Sequence, residues 1–122
     1  MKINYSQEVK SAKDSGKPIL TLESTIIAHG MPFPQSLDFA NQAESLCRDS
    51  GVTPATIAIL EGKIKVGLEQ ADLEFITNND SVKKVSQREI GIALSEKWNG
   101  ATTVSSTMHI AHTAGIPVFA TG

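Results

Sequence analysis

An α/β layered domain with a mixed sheet is the fold class this sequence predicts, on three observations. Short apolar, β-rich runs alternate along the chain with segments whose apolar residues recur at helical spacing. Two of those runs, Ala55–Leu60 and Lys63–Gly67, are separated only by Glu61-Gly62, which predicts a β-hairpin and so one antiparallel pair in the sheet. Polar residues gather where apolar runs end, the place where open α/β sheets hold their ligands.

Taken in order, residues Ser6 to Ser15 read as a covering helix with Val9 and Ala12 on one side and Gly16 at its end. Pro18 to Leu22 reads as a short buried strand. It runs into Glu23, two hydroxyls and His29, then a stretch in which Gly30, Pro32 and Pro34 predict irregular structure. Gln35 to Ser50 predicts a second helix that buries Leu37, Ala40, Ala43, Leu46 and Cys47. The hairpin follows, then a short amphipathic helix over 69–76 closed by Asn78-Asn79-Asp80. Ser81 to Ser86 is an extended piece, and Gln87 to Trp98 a helix. Asn99-Gly100 reads as a turn, after which the small residues 101–107 lead into a helix through Met108, Ile110 and Ala111 that ends at Gly115. Ile116 to Gly122 is a last strand. It stops at Thr-Gly, where an active-site loop normally begins, so the chain reads as the amino-terminal part of a larger domain.

Composition narrows the function. A chain of 122 residues, 40% hydrophobic and 20% charged, suits one globular domain or part of one. A net charge of −2, no basic run longer than Lys83-Lys84 and 5% aromatics argue against nucleic-acid binding. No window approaches the roughly 18 apolar residues of a spanning helix, and no secretory leader is recognisable, so a cytoplasmic protein without a membrane partner is expected. Cys47 is the single cysteine and sits in a helical pattern, where a buried filler is the ordinary role.

Three pieces carry the candidate chemistry: Glu23-Ser24-Thr25, Lys84-Val85-Ser86-Gln87-Arg88 and Asn99-Gly100-Ala101-Thr102-Thr103-Val104. They supply an acid, cations and a hydroxyl-rich helix start, a set suited to a sugar phosphate. Each has a plainer alternative. Glu23 can cap its loop, Thr102 or Thr103 can be an N-cap, and Lys84 can be a solvated charge. His109 and His112 stand three apart on a predicted helix without a visible third metal ligand, and His29 can either orient a substrate or pack on the nearby prolines.

The residues of Glu23 to Gln35, Val52 to Ile59, Lys65 to Leu68, Lys84 to Arg88 and Asn99 to Val104, in that order, closely resemble the pseudouridine-5′-phosphate glycosidases, also called the indigoidine synthase A-like family. The resemblance runs from about Pro18 to Gly122. It implies a three-layer α/β/α fold with a mixed sheet, here an incomplete domain, a homotrimer, and a divalent metal, usually Mn2+. It also implies an enzyme of the carbon–oxygen hydro-lyase class that reversibly cleaves pseudouridine 5′-phosphate to uracil and ribose 5-phosphate. In the family the ribose ring opens and the sugar is held as a Schiff base on a lysine, the electron sink that breaking a carbon–carbon glycosidic bond requires. Glu23 matches the family's catalytic acid, which protonates the ring oxygen. Lys84 matches a substrate-binding lysine, Val104 a position that contacts substrate, and Thr103 beside it is a further candidate. The family's Schiff-base lysine and metal-ligand aspartate have no counterpart in this sequence, and Lys63, Lys65 and Lys83 do not occupy the lysine's position. The chain alone is therefore expected to be inactive, with a sugar-phosphate-binding fragment or a partner-dependent assembly module as the alternatives.

Overall fold

The computed structural model describes residues 1–121. Its strands are β1 (Ile3–Tyr5), β2 (Ile19–Leu22), β3 (Thr53–Leu60), β4 (Lys63–Val66), β5 (Lys83–Val85), β6 (Gly100–Thr102) and β7 (Phe119–Ala120). Its helices are α1 (Gln7–Ser15), α2 (Thr25–His29), α3 (Gln35–Asp49), α4 (Gln70–Thr77), α5 (Ile90–Ser95) and α6 (Val104–Thr113). The strands form one mixed sheet in the order β1-β4-β3-β2-β7, with β6 also on β3 and β5 on β6.

β3 is the spine because its residues are apolar on both faces, as a strand covered on both sides must be. Ala55, Ile57 and Ile59 face a core that takes Val9 from α1, Ile90 and Ala93 from α5, and Ile110 and Ala111 from α6. Ala58 and Leu60 face the opposite core with Ile27 of α2, Ala40 of α3, and Leu73 and Ile76 of α4. The period-2 alternation of one strand thus divides the helices into two layers, and the expected α/β/α sandwich is what forms. Each fully buried isoleucine contributes about 1.5–3 kcal/mol.

Local chemistry sets most element ends. Ser6 caps α1 through Val9 N–H, and Gly16 closes it in the left-handed conformation (φ 69°). The β3–β4 hairpin turns on Glu61 (φ 51°) and Gly62 (φ 72°), the paired positive φ angles of a type I′ loop.

Several expectations need correction. The loop expected directly after Glu23 holds a short helix, since Thr25–His29 forms α2 with Ile27 entering the core, and the irregular stretch expected from Gly30 to Pro34 follows it. Gly100 opens a strand instead of a turn, since Gly100–Thr102 slots between β3 and β5. A Cβ at Gly100 would lie 2.4 Å from the Val85 side chain, so glycine is what lets the strands approach. The predicted 87–98 helix is a 3-10 turn (Gln87–Glu89) followed by α5, and Trp98 lies beyond it against the core. Ile3–Tyr5, for which the sequence predicts no strand, pairs in parallel with β4. On α3 the buried face is Ser36, Ala40 and Glu44, while Leu46 is 69% exposed and Cys47 only half-buried.

Glu44 is the surprise on that face, at 4% exposure. It accepts hydrogen bonds from Thr56 Oγ1 (2.7 Å) and Arg48 Nη2 (3.1 Å), and Arg48 also forks onto Glu8. Burial raises the Glu44 carboxyl above its ordinary value, against the Thr56 hydrogen bond and the Arg48 charge. The folded protein therefore takes up this proton at a higher pH than the unfolded chain. Wild type should gain stability relative to Glu44→Gln as pH falls from neutral through the raised value, with no further gain below the ordinary glutamate range. Glu8, whose carboxyl Arg48 holds low, titrates in both proteins and largely cancels. Denaturant midpoints of the two proteins from pH 4 to 8 check this; a constant gap would refute it.

Candidate active site

Strand direction makes the site. β2 and β7 run with β3, whereas β5 and β6 run against it. β2 pairs with β3 up to Leu22↔Thr56, and β6 takes over at Ala58↔Ala101, so the carboxyl ends of β2 and β6 meet head-on beside Ile57. Residues leaving each strand are delivered to one place.

Register decides which side chains arrive. Lys84, Ala101 and Ala58 are aligned across three strands and share a face, as do Ala120, Leu22 and Thr56. Those rows meet a cavity of about 590 Å³ whose wall includes Glu23, His29, Phe39, Thr56, Lys84 and Thr121. Its size suits a small organic ligand.

Glu23 is half-buried just past β2, and Thr121 Oγ1 donates to its carboxylate from the end of β7. Lys84 is exposed at the rim, so the cavity carries one carboxylate and one lysine. His29, the last residue of α2, is also an exposed wall residue. Thr103 and Val104 are not among the wall residues. Thr103 caps α6 in a reciprocal box with Ser106, and Val104 opens that helix at 41% exposure. Arg88 is turned to Glu89 at 2.8 Å. The Ser86 hydroxyl first, and Arg88 second, hold the Glu89 carboxyl at about 2.

The other lysines near the candidate pieces are engaged away from the cavity: Lys65 Nζ lies 3.7 Å from Asp72, and Lys83 Nζ 5.1 Å from the Trp98 ring centroid. His109 Nδ1 meets Gln87 Nε2 at 3.3 Å. Among the described residues no group of three or more His, Cys, Asp or Glu side chains stands close enough to hold a metal, so these residues do not by themselves fit a manganese site. No helix among them is long and apolar enough to cross a membrane.

Sequence reasoning missed Thr121, Thr56 and the α3 residues Phe39, Ala40 and Ala43. The Thr-Gly end of the last strand was a signal for Thr121. Nothing local marks Thr56, which reads as one residue of an apolar strand.

The family described as "Indigoidine synthase A like protein" matches residues 8–122. The chain is 51% identical over 120 residues to a pseudouridine-5′-phosphate glycosidase of Alkaliphilus metalliredigens, covering 98% of this chain and 39% of that protein. It is 50% identical over 120 residues to the protein of that name from Staphylococcus aureus, again covering 98% and 39%. Among solved structures, the prealnumycin C-glycosynthase AlnA in complex with ribulose 5-phosphate superposes with TM-score 0.86 at 38% identity, over 98% of this chain and 38% of that one. An indigoidine synthase A-like protein of Thermotoga maritima superposes with TM-score 0.87 at 35% identity, over 98% and 39%. The chain thus spans about two fifths of the length of the curated relatives it matches.

Proposed function

Since this chain belongs to the indigoidine synthase A-like family, we propose that it forms part of a pseudouridine-5′-phosphate glycosidase, which reversibly cleaves the carbon–carbon glycosidic bond of pseudouridine 5′-phosphate to uracil and ribose 5-phosphate. The observation that carries this reading is that Glu23 and Lys84, distant in sequence, share the wall of one cavity. Names of relatives at about 50% identity support it, and so does the sugar phosphate bound by AlnA.

In this reading Glu23 gives its proton to the ribose ring oxygen as the sugar opens, with Thr121 orienting the carboxylate. Lys84 binds phosphate or sugar oxygens as a point charge on a flexible stem. The nucleophile is a lysine outside these 122 residues: its nitrogen lone pair forms the Schiff base at the sugar carbon as the carbon–carbon bond breaks, and uracil leaves with the bonding pair and takes up a proton at carbon. Manganese, a homotrimer and a cytoplasmic location belong to the same proposal. The metal's ligands would come from outside these residues, and no step is assigned to it.

The test is uracil release from pseudouridine 5′-phosphate with manganese present, comparing the 122-residue chain with the protein at its relatives' full length. Release by the long form alone supports the reading, and release by neither overturns it. Ligand-dependent stabilisation of the short chain without product would favour a sugar-phosphate-binding fragment. In the active long form, Lys84→Met should raise KM by about tenfold or more, the loss of one charge-assisted contact. An unchanged KM would remove Lys84 from the binding role.

A further inference from the structure

We infer that Thr102 and Ser24 are positioning residues that hold Glu23 and Lys84 in one frame, an inference that rests on the reading that those two groups act on the substrate. The sheet has a missing rung at Ile57, between the last β2 partner at Thr56 and the first β6 partner at Ala58. Two hydroxyls replace it. Ser24 Oγ donates to the Ile57 carbonyl at 2.6 Å, and Thr102 Oγ1 donates to the same oxygen at 2.7 Å.

Both residues are fully buried, and their polar groups are used against one another. Thr102 N–H donates to Ser24 Oγ at 2.8 Å, and Ser24 N–H donates to the Thr102 carbonyl at 3.2 Å. Thr25 Oγ1 donates to that same carbonyl at 2.8 Å, and Thr107 Oγ1 donates to Thr102 Oγ1 at 2.9 Å. A satisfied network in a dry interior resists displacement of any member.

Its consequence lies in what flanks it. Glu23 precedes Ser24 and follows the last ladder residue of β2, so Ser24 is what ties its backbone to the far side of the gap. Lys84 is aligned with Ala101, the residue before Thr102. One short strand therefore locates the cation through its ladder and the acid through the Thr102 N–H and carbonyl that hold Ser24, while the Thr102 hydroxyl pins that end of the strand to Ile57. Reacting groups misplaced by about 1 Å lose on the order of 10²-fold in rate, so the network sets catalytic geometry as well as stability.

Thr102→Val keeps the shape and removes the hydroxyl, and Thr102→Ser keeps the hydroxyl. In the full-length protein, Thr102→Val should lower kcat for uracil release about tenfold or more with KM within about twofold, because the Lys84 ladder is untouched. Thr102→Ser should recover most of that loss. The carboxylate carbon resonance of Glu23, identified by its absence in Glu23→Gln, should move in Thr102→Val and not in Thr102→Ser. Should Thr102→Val fail to fold, Ser24→Ala leaves one donor on Ile57 and should give the same kcat loss and resonance shift. Unchanged kcat, equal losses in both Thr102 variants, or an unmoved Glu23 resonance would overturn the inference. If wild type releases no uracil, the glycosidase reading falls, and the resonance comparison alone decides whether this network positions Glu23.

Discussion

Glu23→Gln in the full-length protein is expected to lower uracil release by about 10²–10⁴-fold, the usual contribution of a positioned general acid. Glutamine keeps the size of the side chain and an oxygen that accepts from Thr121, so packing and the contact across to β7 survive. What it cannot do is give up a proton to a ring oxygen. The loss should therefore fall on kcat, with KM changed little, since Lys84 still stands at the rim. Steady-state kinetics with uracil quantified by chromatography measures both. A variant within tenfold of wild type would show that another group supplies the proton.

The largest expected stability loss is at Gly67. Its φ is +88°, a conformation side-chain-bearing residues rarely adopt, and a Cβ there would lie 2.3 Å from Ser6 Oγ and 2.6 Å from Val9 Cγ2. Those are the N-cap and one of the two buried apolar residues of α1, and Gly67 N–H also donates to the Thr56 carbonyl at 2.9 Å. Gly67→Ala thus adds backbone strain to overpacking against two side chains in the first turn of α1. About 2–4 kcal/mol of lost stability is expected from the two together. Denaturant unfolding beside wild type reads it directly. A loss under about 0.5 kcal/mol, the range of ordinary surface changes, would mean that α1 is not held against this turn.

Most helices and strands were legible because their causes are local. Helical spacing within Gln35–Asp49, the two-residue Glu61-Gly62 turn and Gly16 after α1 depend on residues a few positions apart, and the structure contains each of them. The strand at Gly100–Thr102 was not legible, because three small residues carry no periodicity; its conformation is imposed by β3 on one side and β5 on the other. Glu44 was hidden for a similar reason. With Arg48 one turn further along the same helix, this glutamate reads as half of a solvated pair until β3 brings Thr56 to it.

For the candidate site the division is sharper. The sequence by itself determined the layered α/β class, and the motifs at the strand ends singled out Glu23 and Lys84 and identified the family. Only the tertiary structure decided that those two share a cavity, that Thr121 reaches Glu23, and that Thr103 and Val104 stand off its wall. The reason is directional. Residue types follow from local chemistry, but the meeting of β2 and β6 at Ile57 depends on strand order, register and the opposite senses of two distant segments, which no window of sequence contains.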